Sequence, residues 1–301
     1  MARKEWRGKV VAITGAARGI GAAIAVAAHR EGARVAIGDL DAELAKQTAA
    51  GIGADVVALP LDVTDHAGFT GFLDQVEQRL GPVDVLVNNA GIMPVTWFED
   101  ERPETTARQL AINLAAVIHG TREAVRRMKP RGTGHIVNVA STAGKVGVPG
   151  VATYCATKHG VVGLSEAVRQ ELRGTGVGIS VVMPAIVRTE LTSGVADAKL
   201  VKSSTPEQVA EAVVRAVRTD RFDVFVPRLV GGLNRVLRFM PRWFSEWFVR
   251  QTGADRLFME AAGTAERAAY EARAADSAPT ADAEAAAEAG EAAGNIQAAK
   301  G

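Results

Sequence analysis

Short apolar runs recur along the first three quarters of the chain, at residues 10–13, 34–38, 56–59, 83–87, 136–139, 179–182 and 222–226. Several are rich in valine and isoleucine, and turn residues or polar positions end each of them, which is the pattern of buried strands. The segments between them carry apolar residues at helical spacing. They fall at 22–31, after the cap residue Asp41, at 69–80, 105–129 and 161–172, and from Thr205-Pro206-Glu207, where a capping threonine precedes a helix-initiating proline. Strand and helix alternating in this way predict an α/β fold, a doubly wound parallel sheet of about seven strands covered by helices on both faces. Ligands of such sheets sit at the C-terminal strand ends.

The pattern changes after Pro227. Residues 1–230 read as one nucleotide-binding and catalytic domain, and 231–262 as an amphipathic helical extension broken at Pro241. In that extension Phe239, Trp243, Phe244, Trp247 and Phe248 interleave with Arg235, Arg238, Arg242 and Arg250. Packing over a substrate cleft or a subunit is the first reading of 233–258, and contact with an anionic membrane surface the alternative. Residues 263–301 are rich in alanine and glutamate with few large apolar side chains, and are expected to form a mobile or loosely helical tail.

A hydrophobic content of 48% over 301 residues supports a large core, and a net charge of +1 gives no bias towards nucleic acid. The lone cysteine, Cys155, excludes an internal disulfide, and the five histidines show no metal-ligand clustering, so no metal site is expected. No stretch reaches the ~18 uninterrupted apolar residues of a membrane span, and a cytoplasmic location is expected.

The first strand stops at Thr14-Gly15-Ala-Ala-Arg18-Gly19-Ile20-Gly21, and an alanine-rich helix follows. Glycines let a ligand approach the backbone, and the free N–H groups of a helix start suit a pyrophosphate. Asp39 ends the second strand about twenty residues further on, where a carboxylate accepts hydrogen bonds from an adenosine ribose. It would repel a 2′-phosphate, whereas Arg18 would attract one, so NAD is the favoured cofactor and NADP the alternative. Asn88-Asn89-Ala90-Gly91 lies at another strand end. Asn113, a poor helix former among apolar neighbours, is either a core hydrogen-bonding residue or a functional one.

Tyr154 and Lys158 are four residues apart, hence on one helix face, where an ammonium beside a phenol favours the phenolate. Ser141, just after the run 136–139, is placed to reach the same substrate oxygen. Taken together, the glycine turn, Asp62-Val63, Asn88-Asn89-Ala90-Gly91, Asn113, Ser141 and Tyr154-x-x-x-Lys158 make the chain closely resemble a classical short-chain dehydrogenase/reductase, over about residues 9–227.

The resemblance implies a Rossmann-type fold with Tyr154 as acid/base, Lys158 lowering its pKa and holding the nicotinamide ribose, Ser141 orienting the substrate, and Asn113 supporting a water-linked proton relay. It places Asp62 and Val63 at the adenine, Asn89 and Gly91 beside the cofactor, and Pro184 and Thr189 near the nicotinamide. One departure is Ala185, where the family usually has glycine after that proline. The implied activity is NAD(H)-dependent interconversion of a secondary alcohol and its ketone by a homodimer or homotetramer, and Leu191, Val195, Leu200 and Val201 after Thr189 favour an apolar substrate of steroid, retinoid-like, terpenoid or acyl-chain type. The alternatives are an NADP(H)-dependent carbonyl reductase and a non-catalytic cofactor sensor.

Overall fold

The computed structural model describes residues 5–195, 202–241, 257–262 and 264–275. Seven strands, β1 (Val10–Thr14), β2 (Arg34–Asp39), β3 (Val57–Pro60), β4 (Val83–Asn88), β5 (Gly134–Val139), β6 (Val177–Pro184) and β7 (Asp223–Val226), form one sheet in the order β3-β2-β1-β4-β5-β6-β7. Every neighbouring pair is parallel. Strands β1, β5 and β6 are buried at every position, as strands covered on both faces must be.

The helices are α1 (Gly19–Arg30), α2 (Ala42–Ile52), α3 (His66–Leu80), α4 (Pro103–Leu110), α5 (Ala116–Met128), α6 (Ala152–Glu171), α7 (Pro206–Thr219), α8 (Arg228–Phe239), α9 (Leu257–Ala261) and α10 (Ala265–Ala275). On one face of the sheet, α1, α2 and α7 bury Ile24, Ala45 and Val213 against β1 and β2. On the other, Phe69 and Phe72 of α3 pack with residues of α5 and α6 such as Val117 and Val161. The expected caps form: Asp41 accepts from the Leu44 N–H at 3.1 Å, and Thr205 and Gln208 close a capping box behind Pro206.

Two segments differ from the reading of the sequence. The long helix expected over 105–129 is interrupted by a π-helical turn, Ala111–Ala115, which separates α4 from α5 and carries Asn113. Such widened turns concentrate at functional sites, and periodicity does not reveal a single inserted residue. Within the segment 263–301, read as a mobile or loosely helical tail, residues 265–275 form the helix α10, which docks on the sheet domain. Arg267, Tyr270 and Ala274, spaced three and four apart, form its buried face. Composition averaged over the segment hides this stripe. A polar helix that cannot fold alone is ordered here by docking on the domain. Among the described residues no helix is long and apolar enough to cross a membrane. Trp243, Phe244, Trp247 and Phe248, on which the choice between roof and membrane contact for 233–258 turns, lie outside the described residues.

A buried polar bridge fixes the strand ends that carry the site. Asn88 on β4 faces Asn138 on β5 in register, and its Nδ2 donates to Asn138 Oδ1 at 2.8 Å. Asn138 Nδ2 donates in turn to Ser165 on α6 at 3.0 Å and to Thr121 on α5 at 3.2 Å. Replacing Asn138 by leucine removes the shortest acceptor of the Asn88 amide inside the core. Asn138→Leu should destabilise the protein by about 2 kcal/mol, seen as a lower urea midpoint at unchanged m-value. An unshifted midpoint would show that the bridge contributes nothing.

Candidate active site

The strand order reverses between β1 and β4, so the chains leaving these strands diverge and open a cleft at their C-terminal ends. Two glycines shape its floor. Gly15 has φ +63°, and a Cβ there would lie 2.7 Å from the Ala90 Cα, so the turn after β1 sits directly on the loop after β4. A Cβ on Gly21 would lie 2.4 Å from the Gly15 carbonyl oxygen, so glycine there lets α1 start against the turn. Asn89 locks the two loops: its Nδ2 donates to the carbonyls of Thr14 and Gly15 at 3.0 and 2.8 Å. In return, the Thr14 hydroxyl accepts from the Asn89 and Ala90 N–H groups.

Helix α1 begins without a side-chain cap and without an acidic residue in its first turn. Its first N–H groups and the positive end of its dipole are thus left for an anion, the arrangement a pyrophosphate requires. Asp39 stands beside this turn with one hydrogen bond on each oxygen, from the Ala17 N–H at 2.9 Å and the Asp41 N–H at 3.1 Å. Each oxygen keeps acceptor capacity for a ribose diol. Arg18 is engaged on both sides, by Asp41 at 2.6 Å and Glu190 at 3.2 Å. Asp62 accepts from the Thr64 N–H and hydroxyl, an Asx-type turn that presents Asp62 and Val63 to the cleft. These residues fit an adenine dinucleotide.

The other half of the cleft holds the reactive groups. Ser141 follows β5, accepts from the Ala143 N–H at 3.1 Å and donates to the Pro184 carbonyl at 3.4 Å. Tyr154 and Lys158 lie one turn apart on α6, 6% and 4% exposed. The lysine Nζ donates to the Val139 carbonyl at 3.0 Å and sits 5.5 Å from the centre of the tyrosine ring.

The sequence assigns Lys158 to lowering the phenol's pKa. In the structure burial dominates and raises the Tyr154 pKa, with the neighbouring Ser141 opposing that shift. Burial also pushes Lys158 down to about 8, because desolvation disfavours the ammonium.

The cleft encloses about 520 Å³ and is lined by Gly15, Arg18, Gly19, Ile20, Asp39, Asp62, Val63, Asn89, Gly91, Ser141, Tyr154, Lys158, Pro184 and Thr189. Two of the residues expected in the site stand behind its wall. Gly21 acts through the packing of α1. Asn113 is fully buried and clamps Ile92, accepting from its N–H and donating to its carbonyl, both at 2.8 Å. This clamp positions Gly91, where a Cβ would lie 3.2 Å from Asn113 Oδ1 and 3.6 Å from Lys158 Nζ. Ala185 needs no glycine-like backbone: among the described non-glycine residues only Asp220 has a positive φ. Its N–H donates to the Val226 carbonyl at 2.8 Å.

Sequence reasoning missed Glu190, Tyr270 and Arg273 on the cleft wall. A signal existed for one of them. The chain has only two tyrosines, and Tyr270 lies at helical spacing from Arg267 and Ala274.

Fold and site together define a dinucleotide-binding α/β oxidoreductase with a serine, tyrosine and lysine centre. Residues 9–200 match the short chain dehydrogenase family, and the chain belongs to it. Among its relatives, ketoacyl reductase HetN of Nostoc sp. is 39% identical over 73% of this chain and 78% of its own. D-threitol dehydrogenase of Mycolicibacterium smegmatis is 41% identical over 61% of this chain and 72% of its own. Other relatives are longer, and the chain spans 39% of the probable oxidoreductase EphD of Mycobacterium tuberculosis. A crystal structure of a short chain dehydrogenase/reductase from Burkholderia phymatum in complex with NAD is similar with a TM-score of 0.72 and 27% identity. That similarity covers 78% of this chain and 94% of the other.

The depressed lysine has a measurable consequence. Between about pH 8 and its ordinary value of 10.5, Lys158 binds fewer protons in the folded than in the unfolded protein, so its unfavourable contribution shrinks as pH rises through that window. Relative to Lys158→Met, the protein without added nucleotide should gain roughly 1–2 kcal/mol between about pH 8 and 9.5 in urea denaturation. Parallel pH profiles for the two proteins would contradict the assignment.

Proposed function

We propose that the protein is an NAD(H)-dependent oxidoreductase interconverting an apolar secondary alcohol and its ketone. The observation that carries this reading is the meeting of Ser141, Tyr154 and Lys158 in the same cleft as the glycine turn and Asp39. When bound, NAD would supply the hydride acceptor for oxidation, and NADH the donor for reduction. Gly15, Gly19, Ile20 and the start of α1 would hold the pyrophosphate, Asp39 the adenosine ribose, Asp62 and Val63 the adenine, and Asn89, Gly91, Lys158, Pro184 and Thr189 the nicotinamide half.

In reduction the Tyr154 hydroxyl gives its proton to the carbonyl oxygen, and in oxidation the phenolate takes the proton back. Burial keeps the phenol protonated, the form needed to reduce a ketone. Ser141, which lines the cleft with Tyr154, orients the same oxygen. Asn113 acts through Ile92 and Gly91 by holding the wall in place.

The apolar wall of Ile92, Ile112, Val139 and Leu191 supports a substrate whose carbon skeleton is apolar. The names of the relatives point to two substrate classes, a ketoacyl group and a polyol, and this wall favours the first. NAD is preferred over NADP because the Asp39 carboxylate would repel a 2′-phosphate on the ribose it holds, and Arg18, the cation that could attract one, is already paired with Asp41 and Glu190.

Fluorescence titration should show NADH binding at least about tenfold more tightly than NADPH, equivalent to ~1.4 kcal/mol, and the reverse order would mean that Arg18 prevails. With any accepted ketone, Tyr154→Phe should lower kcat by about 10²–10⁴-fold while NADH affinity stays within about threefold. Undiminished turnover in that variant would remove Tyr154 from the mechanism.

A further inference from the structure

Arg267 is the largest fully buried side chain of the described protein, yet it lies in a segment whose composition reads as a tail. All of its guanidinium nitrogens are used. Nε donates to Glu271 at 2.8 Å, Nη1 to the Leu191 carbonyl at 2.8 Å, and Nη2 to the Met93 carbonyl, while the plane stacks 4.6 Å from the centre of the Tyr270 ring. Glu271 accepts in turn from the Val95 N–H at 3.0 Å, and the Tyr270 oxygen accepts from the Met93 N–H at 2.9 Å. One turn of α10 therefore ties together the loop after β4 and the loop after β6, the two walls of the substrate end of the cleft.

The preceding helix takes part. Phe258 and Met259 of α9 pack on the apolar cluster that contains Tyr154. Two glycines admit the segment: a Cβ on Gly150 would lie 2.5 Å from the Met259 sulfur, and one on Gly194 would lie 2.5 Å from the Thr264 hydroxyl. By contrast, the bond from Arg273 to Glu190 at the cleft mouth is about half exposed on both sides, where solvent screens it. The anchor is Arg267.

We infer that α9 and α10 form a fixed roof over the substrate end of the cleft, that Arg267 is the positioning residue that holds it, and that Tyr270 is a specificity-determining residue limiting the bulk of the substrate. Tyr270 lines the same cavity as Tyr154. The ring is held from two sides, by the guanidinium stacked on it and by the Met93 N–H on its oxygen, so it cannot swing aside for a larger ligand. The substrate class this admits is a compact or unbranched secondary alcohol or ketone. The inference rests on the proposed alcohol and ketone chemistry for its substrate class, and on the hydrogen bonds alone for the roof.

Hydrogen exchange and ligand binding test the two parts separately, on the full chain with NAD added for the binding measurements. Arg267→Met should raise amide exchange at both Met93 and Val95 by about fivefold or more, and Tyr270→Phe at Met93 alone, while core amides of β1 and β5 keep their protection. In ligand-observed NMR, Tyr270→Ala should improve the affinity for a tert-butyl-substituted cyclohexanol relative to cyclohexanol by about tenfold, whether or not either alcohol is turned over. Should Arg267→Met lose protection in the β1 and β5 cores as well, the two Tyr270 variants decide. Unchanged exchange at Met93 in Tyr270→Phe overturns the roof. An unchanged affinity ratio in Tyr270→Ala overturns the specificity role. Binding with the expected ratio but no turnover by the unmodified protein would instead count against the proposed reaction and leave the roof standing.

Discussion

The seam between β1 and β4 is the constraint on which the rest of the cleft depends. Two parallel strands whose onward connections run in opposite directions leave a gap at their ends, and here the gap is closed at its base by contacts that tolerate no extra atom. Gly15 lies on Ala90, and Gly21 lies on the Gly15 carbonyl. The Asn89 amide donates to the carbonyls of both Thr14 and Gly15 where the strands part. With this base in place, the start of α1 faces the cleft unblocked. Asp39 is oriented by backbone N–H groups on both oxygens rather than by a mobile side chain.

Desolvation sets the character of the reactive half. Tyr154 and Lys158 are both removed from water, so each is driven towards its neutral form, the phenol upwards and the ammonium down to about 8. At neutral pH the phenol is protonated, and the lysine, with a pKa of about 8, is still largely an ammonium. Ser141 acts on the phenol against the effect of burial. In so dry a site each hydrogen bond to a reacting oxygen counts for more than it would in water.

The C-terminal helix shows how a polar segment acquires structure. An arginine is expensive to bury unless every donor finds an acceptor. Here each guanidinium nitrogen finds one acceptor, Glu271 on the same helix and a backbone carbonyl from each of two loops. Docking thus satisfies both partners at once, and neither the helix nor the loops would keep this form alone.

Much of this was legible in the sequence because its cause is local. Alternating apolar runs and helical periods foretell a parallel doubly wound sheet, and the spacing from Thr14 through Gly21 to Asp39 foretells a nucleotide site, since backbone freedom at glycine and a carboxylate at a strand end act within one strand-turn-helix unit. Tyr154 and Lys158 share a face because four residues make one helical turn. What only the tertiary structure decided depends on groups far apart in the chain. The balance between Arg18 and the carboxylates required Glu190, which lies 172 positions away. The position of Asn113 behind the wall depended on Ile92 and on an inserted π-helical turn, and the pKa of Tyr154 depended on burial, which no local pattern records. The roof needed Arg267 to meet carbonyls 174 and 76 positions earlier in the chain, and a segment whose composition reads as a tail gives no sign of partners supplied by other loops.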